Sequence, residues 1–232
     1  MQPLKKYFSN IYFLLILSSF TFAYCSSPTE SEALNQSDDL EKILETISVE
    51  DLSPEEEQGL LFMREEEKLA RDVYITLYEK WNMKVFNNIS LSEQKHTETI
   101  KLLLDRYALE DPMTTDERGV FQNETLQNLY NSLVEKGDES IVEALKVGGA
   151  IEEIDILDLE QQVSDIVDNE DIKLVYNNLL RGSRNHLRAF VGNLTNQGVT
   201  YEPQYMTQEA YQVIIDGETE RGGNGRGKGK RG

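Results

Sequence analysis

Cysteine is almost absent: Cys25 is the single one in 232 residues. Neither a disulfide framework nor a cysteine zinc site can be built within one chain. Histidine is nearly as scarce, with only His96 and His186. Five prolines leave long stretches free to run as uninterrupted helix. Positive charge is short as well: 23 Lys and Arg stand against 42 Asp and Glu, for a net charge of −19. Phosphate binding needs clustered cations, so nucleic acid is excluded as a partner. The acid excess suits a well-solvated surface, and the length suits one good-sized domain with extended ends.

The first 25 residues read as a leader. Lys5 and Lys6 precede an apolar run, Ile11 to Ala23, interrupted only by Ser18, Ser19 and Thr21. That is the pattern of a secretory signal, too short to be a comfortable membrane span. Cys25 stands where a bacterial lipoprotein would be cleaved and lipidated, although Tyr24 before it is larger than such sites prefer. Cleavage after Ala23 is the competing reading, and an uncleaved anchor the third. The chain is therefore expected to be exported, as a membrane-anchored lipoprotein, a periplasmic protein or an extracellular one. A lipid anchor would be its sole contact with membrane. Residues 26–52 read as a polar flexible tether with a short helix near Asp39 to Val49. Residues 53–215 read as the folded domain, and residues 216–232 as a disordered Gly-rich basic tail.

The domain is expected to be all-α. Ser53-Pro54-Glu55-Glu56 starts a helix that runs to about Trp81, with Ser53 as N-cap, Pro54 at N1 and Glu56 closing a capping box. Leu60, Met63, Ala70, Val73, Tyr74, Leu77, Tyr78 and Trp81 form its apolar stripe. Glu67 falls inside that stripe, Glu66 near an edge, Glu65 and Asp72 outside. A second helix is expected from Asn88–Ser92 to Tyr107, a short one over Glu124–Lys136, a third long one over Ser140–Val163 and a fourth over Glu170–Asn196. Gln208–Ile215 closes the series. The long stretch between the second and third long helices is what a crossover between two helix pairs requires. Gly148-Gly149 would let a partner backbone approach closely, and Gly182 would mark close packing.

Carboxylates and imidazoles recur on the inward faces. Glu93 and His96 are three residues apart and share one helical face with Ile100, Leu103 and Tyr107. Glu152 and Asp155 share a face of the third helix with Leu145 and Leu159. His186 lies on the apolar stripe of the fourth. A buried carboxylate needs a partner or a metal. For Glu67 alone, a salt bridge to Arg64 or Arg71 is the simpler account, and His96 alone reads as a core histidine. Glu67, Glu93 and His96 together favour metal ligands. Carboxylate oxygens with imidazole nitrogens suit iron or manganese and can take zinc.

These residues resemble the ferritin-like superfamily, especially rubrerythrin-type bundles. Glu67-Lys-Leu-Ala-Arg-Asp-Val-Tyr74 is similar to the first-helix pattern of a Glu followed after six residues by Tyr. Glu93-Gln-Lys-His96 is similar to the second-helix Glu-x-x-His, and Glu152-Glu-Ile-Asp155 to the third-helix Glu-x-x-Glu. His186 stands where the last helix places its histidine. Over about Pro54 to Tyr211 the chain resembles a domain-of-unknown-function family of exported bacterial ferritin-like proteins.

The resemblance implies a four-helix bundle with a long crossover between helices two and three. It implies a dinuclear iron or manganese site on Glu67, Glu93, His96, Glu152, Asp155 and His186, with Tyr74 bonded to a ligand carboxylate. Two departures stand out: Ser183 replaces the fourth-helix Glu, and no rubredoxin-like cysteine cluster exists. Three functions follow. One is a dinuclear oxidase, peroxidase or ferroxidase, with metal ions and dioxygen or peroxide as partners. Another is a non-catalytic metal-binding or structural bundle. The third is a plain interaction bundle whose buried acids pair with Arg64, Arg71, Arg184 and Arg188.

Overall fold

The computed structural model describes residues 40–221. Cys25, the expected leader and the last residues of the basic tail lie outside that range. Among the described residues the fold is all-helical, with no strand. Helix α1 covers residues 40–46, α2 Pro54–Trp81, α3 Lys84–Arg106, α4 Glu124–Asp138, α5 Ile141–Gln161, α6 Glu170–Asn196 and α7 Gln208–Asp216. A π-turn, Gln162–Ile166, extends the end of α5. The four long helices pack in neighbouring pairs: α2 on α3, α5 on α6, α3 on α6 and α2 on α5. The short α4 lies against α2 and α5.

The start of α2 is as the sequence predicts. The Ser53 side chain accepts from the Glu56 N–H, and the Glu56 carboxylate accepts from the Ser53 N–H at 2.9 Å. Glu56 also receives the N–H groups of Asp168 and Asn169 at 3.1 and 3.4 Å, so the same cap ties the start of α2 to the entry of α6. Burial pushes the Glu56 carboxyl up, but these donors outweigh it and hold it below its ordinary range.

The second long helix starts earlier than expected. Asn82 takes the left-handed conformation at φ 51° and ends α2 with its N–H on Tyr78 O. Asn and Asp tolerate that region better than other side chains. The turn is therefore only Asn82-Met83. Val85, Phe86 and Ile89 then extend the buried stripe of α3 toward its N-terminus. Pairing α2 with α3 through so short a turn brings Glu67 opposite Glu93 and His96.

The larger surprise is the outer face of α2. Glu65, Lys68 and Asp72 lie off the apolar stripe, yet all are buried, Lys68 completely. The crossover, residues 107–123, runs back over this face. The Glu65 carboxylate accepts from the N–H groups of Gln122 and Asn123 at 2.6 and 3.1 Å. Asp72 accepts from Gly119 N–H at 3.0 Å and pairs with Lys68 at 2.5 Å. Lys68 donates to Glu117 O at 2.9 Å and sits 4.5 Å over the Phe121 ring. Arg64 holds Asp111 at 2.9 Å and donates to Thr97 O, and Arg71 reaches both Asp72 and Asp116. Helical periodicity sees one face at a time, and a covering loop leaves no periodic mark.

The ends of the domain are more ordered than the sequence suggests. Leu44 of α1 is buried and Arg106 donates to Ile47 O, so part of the expected tether docks. Beyond α7, Glu220 accepts from Arg184 and Arg188, which binds residues 217–221 of the expected tail along α6.

Candidate metal centre

Helix α2 contributes Glu67, α3 Glu93 and His96, α5 Glu152 and α6 His186. The three carboxylates are at most 2% exposed, and each histidine side chain is 12% exposed. They fall into two groups that can hold a metal ion: Glu67, Glu93 and His96, and Glu93, Glu152 and His186. Within each group the ligand atoms lie within 4.8 Å of one another. Glu93 belongs to both. One of its oxygens is 2.6 Å from His96 Nδ1, and the other 2.8 Å from His186 Nδ1.

These contacts are close but incompletely satisfied. His186 Nδ1 and Glu93 Oε1 have no hydrogen-bond partner among the described residues, although they are neighbours, because they are not aligned as donor and acceptor. Glu67 Oε1 is also orphaned. Buried polar atoms are nearly always satisfied, so several orphans around one point need an explanation. A cation among them supplies one, and the donor set of carboxylate oxygens and imidazole nitrogens suits iron or manganese.

Packing fixes both rings. His186 Nε2 is 3.0 Å from Ser92 Oγ, which leaves Nδ1 toward Glu93 and Glu152. The two imidazoles stack with centroids 5.6 Å apart. Gly182 makes room for this: a Cβ there would lie 2.7 Å from His96 Nε2. The close packing expected at Gly182 is thus against a histidine ring. At Gly148 and Gly149 the approaching groups are the rings of Phe190 and Tyr201, not the partner backbone the sequence suggested.

Tyr74 donates to Glu152 Oε1 at 2.6 Å and fixes which oxygen remains for His186. Burial first, then the charge on Glu152, push the Tyr74 phenol well above its ordinary range, so it stays a donor. Burial pushes Glu67 up to about 7, with His96 opposing. Glu93 goes the other way: burial raises it, but His96 and His186 together hold it far below the usual carboxylate range. Burial lowers both histidines, but Glu93 outweighs it for each, with Glu67 adding to His96 and Glu152 to His186. His186 rises to about 10, and His96 rises well above its ordinary value. A cation held here would displace protons from both imidazoles.

Asp155, expected as a ligand, lies outside both groups. The Ser183 hydroxyl donates to its Oδ2, and its Oδ1 is orphaned. Ser183 therefore removes one carboxylate from α6 and fastens another from α5. Burial, then Glu67, push the Asp155 carboxyl well above its ordinary range. The simpler account of Glu67, a salt bridge to Arg64 or Arg71, does not hold. Both arginines turn to the crossover, and Glu67 Oε2 faces His96 Nδ1 at 3.2 Å. Sequence reading missed Ser92, which carries no pattern of its own, and Glu66. Glu66 is buried beside Asp155 with Oε2 orphaned, and its place next to Glu67 on the stripe edge was the available signal.

Comparison with known proteins places these residues in a shared span. Residues 56–218 match the family described as Uncharacterized protein domain (DUF2202). The Uncharacterized protein MJ0754 of Methanocaldococcus jannaschii is 56% identical over 173 residues, 75% of this chain and 93% of that protein. The crystal structure of hypothetical protein MJ0754 from Methanococcus jannaschii DSM 2661 has a TM-score of 0.74 and 54% identity. That match covers 75% of this chain and 99% of the solved one. The family match takes in both carboxylate–histidine groups.

Proposed function

The chain belongs to the DUF2202 family, and we propose that its helices form a ferritin-like four-helix bundle around a dinuclear iron or manganese centre. Glu67 and His96 would hold one ion, Glu152 and His186 the other, and Glu93 would bridge them. The observation that carries this reading is the position of Glu93, whose two oxygens each meet the Nδ1 of a different buried histidine. Zinc fits the same donors but is a poorer match to a carboxylate-rich set.

The further proposal is an oxidoreductase that acts on dioxygen or peroxide. Two iron or manganese ions would supply electrons to such an oxidant at one point. The residues around them provide the setting. Tyr74 and Ser92 orient a carboxylate and an imidazole. Phe86 and Phe190 pack against Tyr74 and keep that side dry. The partly exposed edges of His96 and His186 leave a side open to small molecules.

After anaerobic loading with ferrous iron, the wild-type protein should bind two equivalents and consume oxygen or peroxide. Glu93→Ala should do neither. Equal consumption by both would overturn the oxidoreductase reading. A second reading, a metal-binding module without turnover, is favoured by Ser183 standing where a fourth-helix carboxylate is expected and holding Asp155 away from the two groups. Two bound equivalents with no consumption would select it. Export rests on residues 1–25, and intact mass of the mature chain would distinguish lipidation at Cys25 from cleavage after Ala23.

A further inference from the structure

Helix α6 carries charge of one sign over most of its length. After Asp171 it has no acid through Asn196, but it has Lys173, Arg181, Arg184 and Arg188. The three arginines fall at helical spacing on one stripe, and each is partly exposed. Arg181 donates to the amide oxygen of Asn178 and has no carboxylate partner among the described residues. Arg184 and Arg188 hold the segment that follows α7, since both donate to the Glu220 carboxylate. Asn185 between them donates to Glu220 O and accepts from Glu220 N–H, both at 2.9 Å. Residues 217–221 are thereby laid along α6, with Gly217 against Arg188 and Glu220 reaching Arg184.

This path runs toward the N-terminal end of α6, and the other terminal segment lies at that end too. Arg106, at the end of α3, donates to Asp171 and to Ile47 O, which sets residues 40–47 beside the start of α6. Beyond Arg221 the sequence continues Gly-Gly-Asn-Gly-Arg-Gly-Lys-Gly-Lys-Arg-Gly, with four cations and no acid in a chain of net charge −19. Eleven residues span at most about 36–40 Å when extended, against about 21 Å of helix between Arg184 and Glu170. The cationic run is therefore long enough to meet whatever surface the apolar run Ile11 to Ala23 meets at that end. Beside the stripe, Ile214 O accepts from Arg188, and its neighbour Val213 is 76% exposed, the most exposed large apolar side chain among the described residues.

We propose that the arginine stripe of α6 and the cationic residues after Arg221 together dock the domain on an anionic phospholipid bilayer. The sequence suggested membrane contact through a lipid anchor alone, and this surface is a second, electrostatic contact with the same bilayer. A single acyl chain holds a protein to a membrane only marginally, and a polybasic patch is a second signal that makes the hold stable. Each Lys or Arg close to an anionic headgroup layer tightens binding about fivefold. The rest of the chain has the wrong sign for such a surface. Its repulsion is confined by a Debye length of about 8 Å, so the face that touches the bilayer decides the outcome. Val213 supplies an apolar contact that a lipid surface uses and a soluble polyanion does not. The metal centre takes no part in this contact.

Partition of the full metal-free chain onto vesicles of phosphatidylcholine, alone or mixed with phosphatidylglycerol, tests the surface. The neutral vesicles measure what the apolar leader contributes by itself. The anionic vesicles should bind wild type at least about 100-fold more tightly at low salt, and about 0.5 M salt should erase that gain. The variant Arg226→Gln/Lys228→Gln/Lys230→Gln/Arg231→Gln changes no residue of α1–α7 and should keep less than about a tenth of the gain. Arg181→Gln, within the folded domain, should lose about fivefold. Equal partition onto both vesicles, or a gain untouched by the fourfold variant, would overturn the proposal. A gain untouched by Arg181→Gln alone would remove the α6 stripe from the contact and overturn that part. Tighter binding of wild type to inorganic polyphosphate than to the anionic vesicles would assign the surface to a soluble polyanion and overturn the lipid reading. The fourfold variant keeps the test valid if Arg181→Gln fails to fold.

Discussion

The two faces of α2 are both buried and both charged, yet they differ in how their polar atoms are satisfied. On the outer face, Glu65, Lys68 and Asp72 meet the crossover with a partner for each charge. On the inner face, Glu66 and Glu67 each keep an orphaned oxygen. Burial of charge therefore does not distinguish a structural seam from a site. Completeness of hydrogen bonding does: the outer face closes on itself, and the inner face leaves carboxylate oxygens without a partner.

The largest expected effect breaks the outer face. Asp72→Ala leaves the fully buried Lys68 without its carboxylate and should cost about 3–5 kcal/mol, measured by urea unfolding. Metal equivalents per folded chain should not change. If Asp72→Ala abolishes binding while the protein stays folded, the two faces are not separate.

The next effect concerns the inner face with its cation. At a free metal concentration 100-fold above Kd, a bound ion should stabilise wild type by about 2.7 kcal/mol. Glu93→Gln should gain nothing, as read by the shift in unfolding midpoint with and without manganese. In the metal-free protein Glu67→Gln should cost about 1 kcal/mol or less. A carboxyl raised to about 7 is already half-protonated at neutral pH and resembles its amide.

Gly182→Ala sharpens the same contrast through sterics alone. Its methyl group would occupy space held by the His96 ring, at a cost of about 1–3 kcal/mol. Bound manganese should fall by at least one equivalent in titration. Retention of full stoichiometry would show that His96 is not held by this packing.

The smallest effect belongs to the cap that joins α2 to α6. Glu56→Gln should cost about 1 kcal/mol at neutral pH. Burial opposes the shift, yet the folded carboxyl is held below its unfolded value, so its contribution is present above that unfolded value. It is lost as pH falls through the folded one. Wild type and variant should thus converge in stability in acid, and a constant difference down to low pH would contradict the assignment.

Much of the inner face was legible in the sequence because helical spacing carries it. Glu67 within an apolar stripe, Glu93 with His96 one turn on, and Glu152 and His186 on their stripes all reach one interior region. The capping box and the limits of α2 were equally plain, because cap chemistry is local. What the sequence did not reveal depends on the crossover and on contacts between helices. Nothing periodic marks Asp111, Glu117 or Gly119 as partners of α2. The early start of α3 turned on Asn82 taking a left-handed conformation, and Asp155 left the two groups because Ser183 on another helix fastens it. Glu66 stood near an edge of the stripe, and its burial beside Asp155 depends on how α5 packs against α2.

The central claim is that two cations sit on either side of Glu93. Manganese soaked into crystals of the metal-free protein, with anomalous diffraction recorded at its absorption edge, tests this most directly. The account predicts two peaks about 3.5–4 Å apart, one by Glu67 and His96 and the other by Glu152 and His186. An ordered Glu93 with no peak on either side would contradict it.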